Sequence, residues 1–253
     1  MIGLVLAAGT GRRLRPHTEG LPKALAPLHP DAPDATPLDV ILGNFAAVAL
    51  TEAVVVVGHA ADTIRRRVPE LERRHGLALT LVHNDRADDW NNCYSLWTAR
   101  EHFARGCLLS NGDTVHPPAV ERTLLAAPGD GVTLAVDTVK PLAEEEMKLR
   151  WSPETGVTEL TKLMDPAEAY GEYIGVSLLR PLVADALATA LEETWRRDPN
   201  LYYEDGFTAL SRAGHRVDVA PIGALDWVEI DDPKDLRRAQ QLWKEGTCRS
   251  SPA

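Results

Sequence analysis

The sequence predicts an α/β fold: a mixed, mainly parallel sheet flanked by helices, with a strand-rich second half. Apolar β-rich runs alternate with helix-spaced segments through the first 115 residues, which is the pattern of βαβ units. The run Ala53-Val-Val-Val-Val57 is apolar and β-branched throughout, as a strand covered on both sheet faces has to be. Past about residue 130 the strand-like runs crowd together, so the second half completes the sheet.

Taken in order, residues 2–6 read as a buried strand leading into a loop dense in Gly, Arg, Thr and Pro. Leu38, Ile41, Phe45 and Val48 keep helical spacing, so 37–50 is an amphipathic helix opened by Pro37. Strand 53–57, a charged surface helix over 61–74, strand 77–82, helix 95–104 and strand 107–110 follow. Further strands are expected at 132–136, 147–151, 157–163 and 173–179, with a hairpin turning around Ser152-Pro-Glu-Thr-Gly156. Helices are expected over 181–197, 205–213 and 233–244. Pro27 to Pro37, with four prolines and two aspartates, reads as a surface loop. No Ser-, Gly- or Pro-rich linker divides the chain and no repeat is visible, so residues 1–245 form a single domain and 246–253 a flexible tail.

Composition narrows the function. The chain has 253 residues and 27 Lys+Arg against 37 Asp+Glu, a net charge of −10. That length supports a core without disulfides or metal. The acidic balance argues against a broad phosphate-backbone footprint, hence against nucleic acid as a partner. Three cysteines without CxxC spacing point to a reducing compartment and no zinc site. No segment approaches the apolar length of a membrane span. The opening MIGLVLAAG lacks a basic n-region and reads as a strand rather than a signal peptide. A cytoplasmic location is expected.

Three motifs carry chemistry. The first is Leu6-Ala-Ala-Gly-Thr-Gly-Arg-Arg-Leu-Arg-Pro-His-Thr-Glu-Gly-Leu-Pro-Lys23. Gly9 and Gly11 permit close backbone approach to a ligand, and the arginines with Lys23 surround that loop with positive charge. A lone GxG is ordinarily a turn, and this one fits neither a Walker loop nor a dinucleotide fingerprint, since Leu14 stands at the third glycine position. The second motif is Asn111-Gly-Asp113, a carboxylate at the end of a parallel strand, where α/β sheets bind ligands. The third is Trp227-Val-Glu-Ile-Asp231-Asp-Pro, acids before a helix that Asp232 and Pro233 are suited to start.

The first motif resembles the signature G-x-G-x-R-[LM]-x-P-x-T-x-x-x-P-K of the nucleotidyltransferases that join an NTP to a sugar phosphate or small alcohol phosphate. Gly9, Gly11, Arg13, Pro16, Thr18, Pro22 and Lys23 all fall in register. The resemblance implies a Rossmann-like fold of the nucleotide-diphospho-sugar transferase type and catalytic roles for Arg13 and Lys23. It implies nucleotide binding by Leu6, Ala7, Ala8, Gly9, Thr10 and Gly11, and Mg²⁺ binding by Asp113 and Asp231. The sequence departs from the pattern in a Pro- and Asp-rich insertion at His29–Thr36.

A second resemblance covers the middle of the chain. Asn84-Asp-Arg-Ala-Asp-Asp-Trp-Asn91-Asn92-Cys-Tyr94-Ser95-Leu96 is similar to the N-x(6)-NN-x-x-SL stretch of bacterial phosphocholine cytidylyltransferases and their aminoalkylphosphonate-using relatives, with further matches at Glu146-Met-Lys148 and Gly171-Glu-Tyr-Ile-Gly175. It implies CTP as the donor, held also by Asn84, Asn91 and Ser95, and a small phosphate or phosphonate as acceptor. Candidates for binding the acceptor are Asn92, Lys148, Trp151, Lys162, Glu172, Tyr203, Glu204 and Asp205. Rings beside acids, as in Tyr202-Tyr203-Glu204-Asp205, suit an amine or quaternary ammonium. Sugar-1-phosphate and inositol-phosphate acceptors stay open, as do a non-catalytic nucleotide-binding homologue and a homodimeric state.

Overall fold

The computed structural model describes residues 1–14, 18, 20–32 and 34–248. In chain order the elements are β1 (Ile2–Ala7), α1 (Pro37–Ala47), β2 (Glu52–Val57), α2 (Ala61–His75), β3 (Ala78–His83), α3 (Asn92–Thr98), β4 (Cys107–Asn111) and β5 (Thr114–Val115). Then come α4 (Ala119–Ala126), β6 (Val132–Asp137), β7 (Lys148–Ser152), β8 (Gly156–Thr161) and β9 (Gly171–Leu179). The chain finishes with α5 (Ala184–Arg197), α6 (Tyr203–Arg212), β10 (Val217–Pro221), β11 (Val228–Glu229) and α7 (Pro233–Glu245).

The main sheet runs β10-β6-β9-β4-β1-β2-β3, with β7 and β8 appended beside β9. Pairings β1·β2, β1·β4, β2·β3 and β6·β10 are parallel, and β9 runs antiparallel between β4 and β6. The sheet is therefore mixed and mainly parallel, as the alternation of elements predicts. Because β1 has β2 on one side and β4 on the other, the loops leaving β1 and β4 open into one crevice, the place where such sheets bind ligands.

Strand residues alternate between two apolar layers. Ile2, Leu4, Val54, Val56 and Leu109 pack with α3, α5 and α6 on one face. Val5, Ala7, Val55, Val57 and Leu108 pack with α1, α2 and α4 on the other. A third cluster joins Leu14, Leu28, Ala35, Val115, Ile230 and Leu242. It ties the loop after β1 to the C-terminal helix.

That third cluster corrects two expectations. The segment 27–37 is not simply a surface loop: Leu28, Ala35 and Thr36 are buried, and the Gln240 amide donates to the Pro27 carbonyl at 3.2 Å. The tail expected from residue 246 is packed as far as Cys248, which is buried, and the Thr247 N–H donates to the Leu242 carbonyl. Residues 249–253 lie outside the described ones.

Other differences have local causes. The helix expected at 95–104 begins at Asn92, because the Asn91 side chain caps it, and it gives way to a 3-10 turn at Arg100–Arg105. Helix α4 and strand β10 escape the sequence reading; β10 is an edge strand of only five residues. Among the described residues no helix is long and apolar enough to cross a membrane.

Candidate active site

The glycine loop leaves β1 at the centre of the sheet. Gly11 has φ +57°, a left-handed conformation, and its carbonyl accepts from the Thr18 hydroxyl at 3.0 Å. Across the crevice, Gly112 lies so close to β1 that a Cβ there would sit 2.6 Å from the Leu6 carbonyl oxygen. Glycine at 112 thus lets the Asn111-Gly-Asp113 turn lie directly against the glycine loop.

Asp113 and Asp231 are distant in sequence and meet through a small antiparallel sheet. Thr114 pairs with Glu229 and Val115 with Val228, and the Ile230 N–H donates to the Asp113 carbonyl at 3.0 Å. This ladder sets three carboxylates side by side: Asp113, Glu229 and Asp231 offer oxygens within 4.8 Å of one another. Asp232, not Asp231, caps α7, and Asp235 reaches back to the N–H groups of both. Asp231 is thereby left facing the site.

Lys23 sits at the centre of this cluster. Its Nζ lies 2.7 Å from Asp113 and 2.6 Å from Asp231, and the Arg13 guanidinium reaches Asp231 at 3.1 Å. Burial works against the Lys23 charge, but the two aspartates outweigh it and hold the ammonium above the ordinary lysine range. Burial likewise works against ionised Asp231, yet Lys23 and Arg13 keep its pKa below normal. For Glu229 the balance goes the other way: burial, with Asp113 and Asp231 alongside, outweighs the Lys23 and Lys162 charges and pushes its pKa up to about 8.

Two adjoining cavities open here. The first, about 460 Å³, is lined by Leu6, Ala7, Ala8, Gly9, Thr10, Gly11, Asn91 and Ser95, expected on the nucleotide, by Arg13 and Lys23, expected to be catalytic, and by Asp113, expected on the metal. Asn92, expected on the acceptor, lines this first cavity instead, and its side-chain carbonyl also accepts from the Tyr203 N–H. Asn84, expected on the nucleotide, is buried behind the cavity, where its amide donates to the Ser95 hydroxyl at 2.8 Å. There it orients Ser95, which lines the cavity.

The second cavity, about 660 Å³, shares Arg13, Lys162, Glu229 and Asp231 with the first. Its lining holds nine acids against four bases, together with Trp227. Glu172 belongs to it. Burial raises the Glu172 pKa to about 7, despite the nearby Lys140 ammonium.

Five of the expected acceptor residues lie elsewhere. Lys148 is fully buried and its ammonium donates to the carbonyls of Ala143, Glu144 and Glu146, so it anchors a loop. The Trp151 indole donates to Asp218 at 2.6 Å, on the β7 side of the sheet. Tyr203 is buried, its hydroxyl 2.9 Å from the Asn111 side-chain oxygen. Glu204 is buried too, and Asp205 accepts from the Tyr202 N–H at the start of α6. None of these five lines either cavity.

Sequence reasoning missed Glu229 as a site residue. The signal was present: 227, 229 and 231 alternate along one strand direction, so all three point the same way. Asp137, Lys140 and Glu146 were missed as well, and they come from separate segments.

Residues 3–198 match the family described as the MobA-like NTP transferase domain. The chain belongs to that family. It is 32% identical over 247 residues to a CMP-5'-(3-aminopropyl)phosphonate synthase of Streptomyces rubellomurinus, a match that takes in 93% of this chain and 38% of that protein. It is 29% identical over 109 residues to a choline-phosphate cytidylyltransferase of Streptococcus pneumoniae, covering 43% of each. The matched segments thus take in less than half the length of either relative. Its fold is that of the inositol-1-phosphate CTP transferase from T. maritima, with a TM-score of 0.79, 20% identity and 96% of each chain covered.

Proposed function

We propose that this family member transfers CMP from CTP to a phosphonate or phosphate oxygen of a small acceptor bearing an amine or quaternary ammonium, with release of pyrophosphate. The observation that carries the reading is the pair of adjoining cavities that share Arg13, Lys162, Glu229 and Asp231. The first has the glycine loop for a triphosphate. The second has the acids and the Trp227 ring that a cation needs. The names of the two relatives, one acting on an aminoalkylphosphonate and one on choline phosphate, support the same acceptor class.

Three carboxylates at this spacing suit a hard divalent cation such as Mg²⁺, which when bound neutralises triphosphate charge and polarises the reacting phosphoryl group. The chain's own residues do the rest. The glycine loop and Arg13 hold the phosphates that depart, while Lys23 stands beside the reacting centre. Lys162, in the seam between the cavities, holds the acceptor's anionic end facing the α-phosphorus. The acceptor oxygen then attacks in line and no protein nucleophile is needed. Catalysis comes from positioning and from charges fixed in advance.

The test is pyrophosphate release with Mg²⁺, comparing all four NTPs across phosphocholine, aminoethyl- and aminopropylphosphonate, inositol phosphate and glucose-1-phosphate. CTP with a cationic acceptor should be fastest. Faster turnover with inositol phosphate would favour the inositol reading, and a hexose phosphate with UTP or dTTP would move the chain to the sugar-nucleotide branch. We place the reaction in the cytoplasm, consistent with three buried unpaired cysteines.

A further inference from the structure

The second cavity already holds an ammonium group, and that group belongs to the protein. Lys140 Nζ lies 2.8 Å from Glu146, 3.1 Å from Glu172 and 5.0 Å from the centre of the Trp227 ring. Two carboxylates and an indole face are the surroundings a substrate ammonium would seek.

The walls of this cage are fixed without help from the lysine. Glu146 accepts from the Ala143 N–H at 2.6 Å, in the loop that buried Lys148 ties down through three carbonyls. Glu172 sits on β9 opposite Asp137 of β6. The Trp227 indole donates to Asp137 at 2.8 Å, which sets the plane of the ring. The other Asp137 oxygen accepts from the N–H groups of Val139 and Lys140, forming a turn that sends the Lys140 side chain inward. Lys140 itself is 47% exposed, against 14% and 6% for its two partners. The acids belong to the buried wall and the lysine enters from solvent, so a rotation of its side chain vacates the cage without disturbing the wall.

We propose that Lys140 is a tethered stand-in for the acceptor's ammonium: it fills the head-group subsite between turnovers and the acceptor binds by displacing it. This deepens the reading above, because it assigns the recognition of the cationic end to Trp227, Glu146 and Glu172. Without a cation, the two carboxylates would stand unpaired in a poorly solvated pocket, which is costly. With Lys140 seated, a neutral polyol has to break two ion pairs and returns nothing to them. An amine or quaternary ammonium replaces the lost charge. The lysine therefore selects for cationic acceptors and lowers their apparent affinity by the fraction of time that it occupies the cage.

The test uses the full chain and needs no turnover. Tetramethylammonium and propylammonium chloride are titrated by calorimetry into wild type, K140M and K140M/E172Q, with sodium chloride as the ionic-strength control. K140M should bind both ions about tenfold more tightly than wild type, as expected if the lysine fills the cage about nine-tenths of the time. The gain should vanish in K140M/E172Q. In the transfer assay K140M should show a correspondingly lower KM for the cationic acceptor, with the KM for CTP unchanged. K140Q serves in the same assays if K140M does not fold. Alkylammonium affinity equal to wild type, or an acceptor KM that rises, would overturn the proposal. If K140M gains alkylammonium affinity but no acceptor receives CMP, the cage assignment stands and the proposed reaction falls. Turnover with a cationic acceptor and no gain in K140M has the opposite meaning.

Discussion

Replacing Lys23 with Met removes the ammonium that touches both Asp113 and Asp231 while preserving most of the side-chain volume. The three carboxylates of the cluster then face one another within 4.8 Å. At an effective dielectric constant of about 20, two unit charges at that distance repel by about 3 kcal/mol. Glu229 relieves part of this by keeping its proton, since its pKa is already about 8. The Lys23 side chain is only 15% exposed, and removing one partner of a buried ion pair costs about 3–5 kcal/mol. For a chain of this size that corresponds to a loss of about 10 °C in Tm. The loss should appear in EDTA near neutral pH and be largely recovered with millimolar Mg²⁺, because a divalent cation can take the place of the ammonium. Wild type should gain much less from Mg²⁺, since the cation must first displace Lys23. Scanning calorimetry with and without Mg²⁺ measures both differences. If K23M is as stable as wild type in EDTA and gains no more from Mg²⁺, Lys23 does not hold these acids together. In the transfer assay the same variant should lose about 10²–10³ in kcat, as expected for one lost donor to developing charge, with a smaller change in the KM for CTP.

Three further predictions concern single residues. E229Q, like D113A and D231A, should lower pyrophosphate release by about 10² or more; near-normal turnover of E229Q would remove Glu229 from the cluster. K148M should raise the KM for the acceptor without altering that for CTP, because Lys148 anchors the loop that carries Glu146; an effect on CTP alone would contradict this placement. E121Q should change stability with pH. Glu121 is fully buried, neither of its carboxylate oxygens has a hydrogen-bond partner, and burial raises its pKa from 4.5 to about 8. In the unfolded chain it ionises near 4.5, so folding carries a penalty that grows between pH 4.5 and 8 and reaches at most about 5 kcal/mol. Urea melts should show E121Q equal to wild type at the low end of that range and several kcal/mol more stable at the high end; an equal gain at both ends would refute the assignment. His116 beside it has its pKa lowered by burial to about 4 and penalises folding as pH falls from 6.5 toward 4, a limb that E121Q leaves in place.

The sheet was legible because its signals are local. Each strand from β1 to β4 is a short apolar run, and the two-sided burial of β2 is visible in five consecutive residues. The glycine loop was legible for the same reason. Asp113 and Asp231 could be named through resemblance, but what brings them together could not: it is a two-residue strand pairing between segments more than a hundred positions apart. The third carboxylate went unassigned although it lies two residues from Asp231 on the same strand face.

The acceptor side shows why adjacency in sequence misleads. Tyr202-Tyr203-Glu204-Asp205 looks like rings beside acids, but it spans the start of a helix, and successive residues there point in different directions. Tyr203 and Glu204 turn inward and Asp205 turns back to its own helix end, leaving Tyr202 as the member of the group that lines the first cavity. The acids and ring that surround the Lys140 ammonium, with the aspartate that fixes the ring, come from positions 137, 146, 172 and 227, brought together by the pairing of β6 with β9 and by one indole hydrogen bond. No window of the sequence contains two of these residues closer than nine positions apart. A nucleotide loop is made by one turn of chain and survives as a motif. A cluster assembled by sheet register leaves no such trace in the sequence.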